Sequence, residues 1–594
     1  MESFIPSTDP VLNSVAVSAL VALVPLLTFF VLLAYVKVKA HVAGGIALLV
    51  ALAVAVFGYQ MPAGLAALSA TQGAVFGAFP VLWIVIMAVW LYQITVLSGR
   101  FEDLRRVFDV IGGADVRVQA ILVAFCFGGL LEALAGFGAP VAITATMLVA
   151  LGIKPLKAAA AVLVANTAPV AFGAMAIPIT TAASLTGLDA DHIGMVVGRQ
   201  APLLAVFVPL ILVFILDGRR GVRDTWPAAV VTGVAFALAQ VLCSTYFSYE
   251  LTDIVAALAG LGAAVVFLRF WQPRGLEAAR ERMGLPALAA ASAGSRPASG
   301  TKPGTEPGSV RGTGRGSAAG RGTATAVRDG DSLTRSRTLL ALFPYFLVIL
   351  IFGIAKLWKW GADIPAFLAS TDIKVPWPWL HDRLLDAAGE PVSSTIYTFN
   401  WLSSPGTLLL ITGLIVCVVY AKYDDGGRYA MTVGNGVAEI FRTIWNMRWA
   451  GLTILSVLSL AYVMNFSGQT VAIGTWLAGT GAFFAFLSPV LGWVGTAVTG
   501  SDTSANALFA RLQQTAGIEA GIDPNLLVAA NTSGGVVGKL ISPQNLAIAV
   551  TAVKLDGQES VLLRKVIGWS VGLLLMLCTL VYLQSTPILG WMLP

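Results

Sequence analysis

The sequence predicts an all-α polytopic membrane protein of about 12–14 transmembrane helices, arranged as two inverted repeats with re-entrant or broken helices. Three observations carry this expectation. Hydrophobic residues make up 57% of the 594 and charged residues 11%, under half the roughly 25% charged fraction of a soluble domain. Apolar runs recur from end to end, giving a mean hydropathy of +0.82. The third is an internal duplication: LVANTAPVAFGAMAIP around Asn166 and VAANTSGGVVGKLISP around Asn531 both fit A-N-T-x5-G-x4-P. This composition excludes a string of soluble domains, a single-anchor receptor and a tethered enzyme.

Runs near the ~20 residues that one crossing needs cover 15–36, 41–58, 74–96, 118–135, 158–176, 193–216, 226–245 and 251–270. After a basic interval come 339–357, 406–420, 449–466, 470–491, 526–546 and 561–583. Shorter apolar stretches between them are expected to enter the membrane and turn back. The chain therefore divides into a first membrane repeat (1–270), a linker (271–337) and a second repeat (338–594).

Charge fixes the expected orientation. The net charge is +6, yet residues 269–337 alone hold twelve Lys/Arg against five Asp/Glu, a balance of +7. The basicity belongs to one loop, so it reports topology and implies no nucleic-acid partner, since positive loops mark the cytoplasmic side. Lys37/Lys39, Arg100/Arg105/Arg106/Arg117, Arg219/Arg220/Arg223 and Arg564/Lys565 read the same way. The stretch 358–404, with Trp358, Trp360, Trp377 and Trp379, reads as the outer face, which puts both termini outside the cytoplasmic membrane. Residues 287–332 are Gly/Ser/Ala/Thr with scattered Arg and no hydrophobic period, so they are expected to form a disordered tether. No charged n-region or cleavage site precedes the first apolar run, so no removable signal peptide is expected.

The duplicated motif is the pointer to function. Pro removes a backbone donor and Gly loosens the turn before it. Such a segment is tolerated at membrane depth only where it is buried in protein or lines a watery cavity. Some thirty residues upstream of each Asn lies a second Gly-anchored element, Gly136-Phe137-Gly138-Ala139-Pro140 in one half and Gly500-Ser501-Asp502-Thr503-Ser504 in the other. Paired breaks in matched positions point to a secondary transporter. The plainer reading is close helix packing through small residues.

Three ionisable residues lie apart from the loop charges: Glu132, Asp502 and Lys539. A charge at the membrane centre costs at least ~2.5 kcal/mol and is a functional candidate by default. The alternative is an interhelical Glu–Lys or Asp–Lys pair that holds the bundle together. The four cysteines lie in apolar runs without metal spacing, the three histidines are scattered, and no Walker A pattern occurs. No metal, cofactor or ATP-driven pumping is therefore expected.

The string from Glu132 through Gly136-Phe137-Gly138-Ala139-Pro140 to Ala165-Asn166-Thr167-Ala168-Pro169 resembles the bacterial L-lactate permease family. So do Gly500-Ser501-Asp502-Thr503-Ser504, Ala530-Asn531-Thr532-Ser533 through Lys539 to Gln544, and Met464-Asn465-Phe466-Ser467-Gly468. The resemblance implies proton-coupled uptake of L-lactate, D-lactate, glycolate and other small 2-hydroxy acids, with an elevator-type movement by analogy. A carboxylate needs a positive partner and oriented N–H groups. Lys539 and helix ends after Asn166 and Asn531 are the expected source.

Gly136, Gly138, Asn166, Thr167, Ser501, Thr503, Asn531, Thr532 and Ser533 complete the expected substrate site. Asp502 or Glu132 is to carry the proton, Asp502 being preferred because a Gly-flanked break admits water. Sodium coupling through Asp502 is the rival within transport. An intramembrane enzyme using Asp502 and Glu132 is the rival outside it. Oligomeric state is not legible.

Overall fold

The computed structural model describes residues 3–594 apart from 37, 112–114, 136–137, 286–333, 359–361, 387–388, 426, 430 and 556. The tether, 287–332, and the expected site residue Gly136 lie outside the described residues.

Ten helices among the described residues are long and apolar enough to cross a membrane, and one further pair, Pro155–Ala165 with Val170–Thr186, is bent by 61° at a short break. One of the ten, Ala190–Tyr246, holds 57 residues, about 85 Å if straight against a hydrocarbon core of about 30 Å. It is a helical hairpin. Gly218 breaks it at φ +68°, and Gly233 packs on the backbone of Ala205 and Val206, an equal distance back along the chain. The other face of the bundle carries an exception to all-helical structure. In the 358–404 segment, Ile373–Pro376 pairs antiparallel with Ile396–Phe399, with Ile373 opposite Phe399. Their β-branched and aromatic residues suit a half-buried ribbon.

The two halves of the sequence interleave. Helices Ala63–Phe76 and Trp83–Leu97 of the first half pack along Val433–Phe466 of the second, and Gly173–Thr186 packs on Asp502–Ala520. At the centre, Val116–Leu134 is almost wholly buried, as is Pro524–Lys539. The Pro524 helix reaches that position because it is made of small residues. A Cβ on Gly534 or Gly538 would stand 2.0 Å and 2.2 Å from the carbonyl oxygens of Pro489 and Trp493, so the backbones of two helices touch where side chains normally intervene.

Each half also presents the same order of elements. In the first, a helix ending at Ala135 is followed by Gly138 at φ +86° capping Ala139–Ala150, then by the proline-led helix Pro155–Ala165, a break, and Gly173–Thr186. In the second, Phe484–Thr499 ends on Gly500 at φ +75°. Asp502–Ala520 follows, then the proline-led Pro524–Lys539, a break at 540–542, and Pro543–Ala552. Positive φ at both glycines is the conformation that lacks a Cβ penalty.

Candidate functional site

Three elements converge at the centre of the bundle. Glu132 lies on the short helix Gly128–Ala135, which continues a segment with widened, π-type turns over Ile121–Phe127. Asn166 caps the C-terminus of Pro155–Ala165, and Lys539 is the last residue of Pro524–Lys539. Lys539 Nζ lies 2.5 Å from Glu132 Oε1, while Asn166 Nδ2 donates to Glu132 Oε2 at 2.9 Å. All three residues are buried.

The surroundings are built for this contact. A Cβ on Gly173 would sit 3.1 Å from Glu132 Oε1, so the motif glycine lets the chain after the break pass over the carboxylate. The carbonyl of Lys539, orphaned by the helix end, accepts from Asn545 Nδ2 at 3.0 Å and Ser542 Oγ at 3.1 Å. A cation in the last turn also complements the helix dipole. Immediately after the first break, Ala174, Met175 and Ala176 all adopt left-handed backbone angles, φ +46°, +59° and +55°. Such strain in non-glycine residues clusters at functional sites. Asn166, Thr167, Lys539 and Asn545 line a gap too narrow to admit a water molecule.

The other expected residues are placed differently. Asn531 was expected at a helix end, but it lies inside the continuous helix Pro524–Lys539, and the second break comes only at 540–542. The two A-N-T motifs thus match in sequence and differ in backbone. Pro169 follows Asn166 by three residues in the first copy, whereas Ser533-Gly534-Gly535 continues a helix in the second. Asn531, Thr532 and Ser533, which the sequence reading assigns to a substrate hydroxyl, have side-chain partners within the protein. Asn531 Nδ2 and Thr532 Oγ1 both donate to Asn506 Oδ1 at 3.0 Å. Gln513 Nε2 donates to Asn531 Oδ1 at 3.3 Å, and Ser533 Oγ to Gln200 Oε1 at 2.8 Å. Thr167 Oγ1 donates to the Val164 carbonyl at 2.7 Å.

Asp502, expected in a watery break, is the buried first residue of its helix. Its Oδ1 accepts from Thr496 Oγ1 at 3.4 Å, and among the described residues its Oδ2 has no hydrogen-bond partner. Ser501 caps that helix by accepting from Ser504 N, and Thr503 is half-buried on its first turn. The neighbours of Asp502, Ser501 and Ser504, line a vestibule of about 900 Å³ whose wall also includes Lys39, His41, Trp449 and Gln544. Gly138 abuts Ile548 and Asn545 of the Pro543 helix and Gly500 abuts Gln544, so both Gly-anchored elements pack on the helix that follows the second break.

Sequence reasoning missed Asp253 and Gln240. Asp253 is fully buried; its Oδ1 accepts from Gln240 Nε2 at 3.1 Å, which also donates to the Ala168 carbonyl inside the first break. Its Oδ2 is unpartnered. The signal was present, an Asp within the apolar run 251–270. Among the described residues no group of three or more His, Cys, Asp or Glu is placed to hold a metal.

Comparison with known proteins decides the family. The L-lactate permease profile matches residues 18–588. The chain belongs to the L-lactate permease family. It is similar to the L-lactate permease of Bacillus subtilis (strain 168), 40% identical over 98% of this chain and 99% of that one. It is also similar to the L-lactate permease of Escherichia coli (strain K12), 39% identical over 99% and 98%, and to the glycolate permease GlcA of the same strain, 39% identical over 94% of each. Among solved structures, the YdaH transporter of Alcanivorax borkumensis overlaps 86% of this chain and 99% of its own at 16% identity and a TM-score of 0.30. A permease is a transporter and not an enzyme, and this permease is a multi-pass membrane protein.

Proposed function

We propose that the protein carries L-lactate and related 2-hydroxy monocarboxylates, D-lactate and glycolate among them, across the cytoplasmic membrane together with a proton. Lactate and glycolate permease relatives at 39–40% identity over nearly the whole chain support the substrate class. The observation that carries the coupling is the buried Glu132–Lys539 pair, ligated by Asn166 and lying between the two breaks.

Removing the charge of one partner in a buried ion pair leaves the other uncompensated, at a cost of about 3–5 kcal/mol. Protonation of Glu132 therefore releases Lys539 only at high cost unless another anion arrives. A substrate carboxylate is that anion. The neutral Glu132 and the lactate–Lys539 pair then form together, and the exchange links one proton to one anion. Asn166, freed from the carboxylate it now serves, is placed to turn its amide toward the substrate. This assigns the proton to Glu132 in preference to Asp502, because Glu132 touches the cation and Asp502 touches only a hydroxyl.

The matched order of glycine caps, proline-led helices and breaks supports the inverted repeat, whose break-bearing elements form the moving body of an elevator. The loops rich in Lys and Arg support cytoplasmic placement of that face, with both termini outside. Purified protein in liposomes should accumulate labelled L-lactate against its gradient when the outside is acid. Accumulation driven by a sodium gradient at equal pH would replace the proton by sodium, and no uptake of any 2-hydroxy acid would remove the reading altogether.

A further inference from the structure

Arg511 lies in the Asp502–Ala520 helix, nine residues from Asp502, about 13 Å along the axis. An arginine so deep in an apolar bundle needs a partner. Its Nη1 donates to the Gln514 side-chain oxygen at 2.6 Å and to the Thr186 carbonyl at 3.3 Å, both neutral. Thr186 ends its helix, so a cation there has a structural use. That use engages one nitrogen of a guanidinium that carries five N–H donors. Among the described residues Arg511 has no carboxylate partner, and neither Nε nor Nη2 is sealed in the protein without one.

The free edge opens on a cleft. Arg511, Asn465, Tyr462, Ser184 and Ser394 line a space of about 220 Å³, on the face that carries the 358–404 segment. Asp386 is also at its wall, where its carboxylate accepts the Glu390 N–H. The 900 Å³ vestibule lies toward the N-terminal end of the same helix, where Ser501 and Ser504 line it. Ser504 and Arg511 are seven residues apart, about 10 Å. Between them the helix is closed by buried Leu508 and Phe509, the latter 6.0 Å ring to ring from Phe30. Seven residues is close to two full turns, so the two cavities are spaced along one face of the Asp502 helix.

We propose that the Arg511 cleft is a separate binding site for a small monocarboxylate, about 10 Å along this helix from the vestibule. The planar guanidinium takes the carboxylate through two parallel N–H bonds, and Asn465 and Ser184 in the same lining offer partners for a 2-hydroxyl. The assignment of lactate as ligand rests on the proposed function. The site gives a use to the part of the guanidinium that the helix clamp leaves unengaged.

The four native cysteines at 126, 243, 417 and 578 are buried, so Ser394→Cys supplies a reporter at the cleft rim. The protein in nanodiscs is labelled with a small anionic and a small cationic methanethiosulfonate, with and without L-lactate. The anionic reagent should react faster, L-lactate should slow labelling, and neutral lactamide should not. Adding Arg511→Gln should weaken lactate protection at least tenfold; Arg511→Lys should keep part of it. Lactate protection that is absent in the parent, or unchanged in Arg511→Gln, overturns the site. A pure helix clamp would instead lower the melting temperature and leave protection intact. Labelled-lactate uptake into liposomes separates the two claims: uptake without protection removes the cleft and keeps the transporter, whereas protection without uptake keeps the anion site and removes lactate transport.

Discussion

Lys539 and Glu132, 407 residues apart in sequence, meet at 2.5 Å in the middle of the bundle. Their contact joins the last residue of one proline-led helix to the short helix that precedes the other half's glycine break. Both groups are shielded from water, so neither tolerates the loss of its partner.

Stability should therefore respond to the pair as a unit. Glu132→Gln and Lys539→Met are each expected to cost about 3–5 kcal/mol, and the double variant should recover most of that loss because no lone charge remains. Thermal unfolding in detergent measures this. Single variants as stable as the parent would show that the pair is not buried in the folded protein.

Coupling should follow the same contact. In Glu132→Gln protein that reaches the membrane, the neutral side chain mimics the protonated state. Lactate/lactate exchange should persist while accumulation driven by a proton gradient disappears. In the parent, apparent lactate affinity should fall as pH rises, since binding requires the proton; in Glu132→Gln that slope should flatten. Asp502→Asn should keep both accumulation and slope. The reverse pattern, coupling lost in Asp502→Asn and kept in Glu132→Gln, would transfer the proton to Asp502.

Close backbone contact sets a third expectation. Gly538→Ala should abolish folding or membrane insertion, because its Cβ would stand 2.2 Å from the Trp493 carbonyl oxygen and backbone cannot step aside. Gly568→Ala meets nothing within 4 Å and should be neutral. Equal amounts of both variants in the membrane fraction would contradict the packing.

The amide network around Asn531 should behave as structure. Asn531→Ala orphans Gln513 Nε2 and Asn506 Oδ1 in part, which is expected to cost about 1–3 kcal/mol with little change in lactate KM. A large rise in KM at unchanged stability would return Asn531 to the substrate site.

The tether should be dispensable. Arg282 before it binds Asp217 at 2.7 Å, and its guanidinium pKa is raised by that hydrogen bond; Arg337 after it binds Asp103. Both flanks are anchored independently of 287–332. Deleting most of that segment should leave lactate uptake near normal, and lost uptake with normal membrane levels would overturn this.

The sequence alone determined the membrane class, the family resemblance, the position of the two glycine-anchored elements and the candidacy of Glu132, Asp502 and Lys539. Those features are local or periodic: apolar length, proline and glycine spacing, and charge in an apolar context each act within a few residues. Only the tertiary structure decided that Glu132 takes Lys539 as partner, that Asn531 sits inside a helix held by Asn506 and Gln513, and that Arg511 faces a cleft. Asn166 and Asn531 share the same motif letters, so local propensity cannot separate them. What separates them is the packing around each: the Pro524 helix is gripped along its length by the backbone of Phe484–Thr499, while the chain after Asn166 is drawn out of helix, over Glu132. Pairings across hundreds of residues depend on which buried charges and amides the fold brings together, since in a medium that cannot solvate them each must find its partner inside the protein.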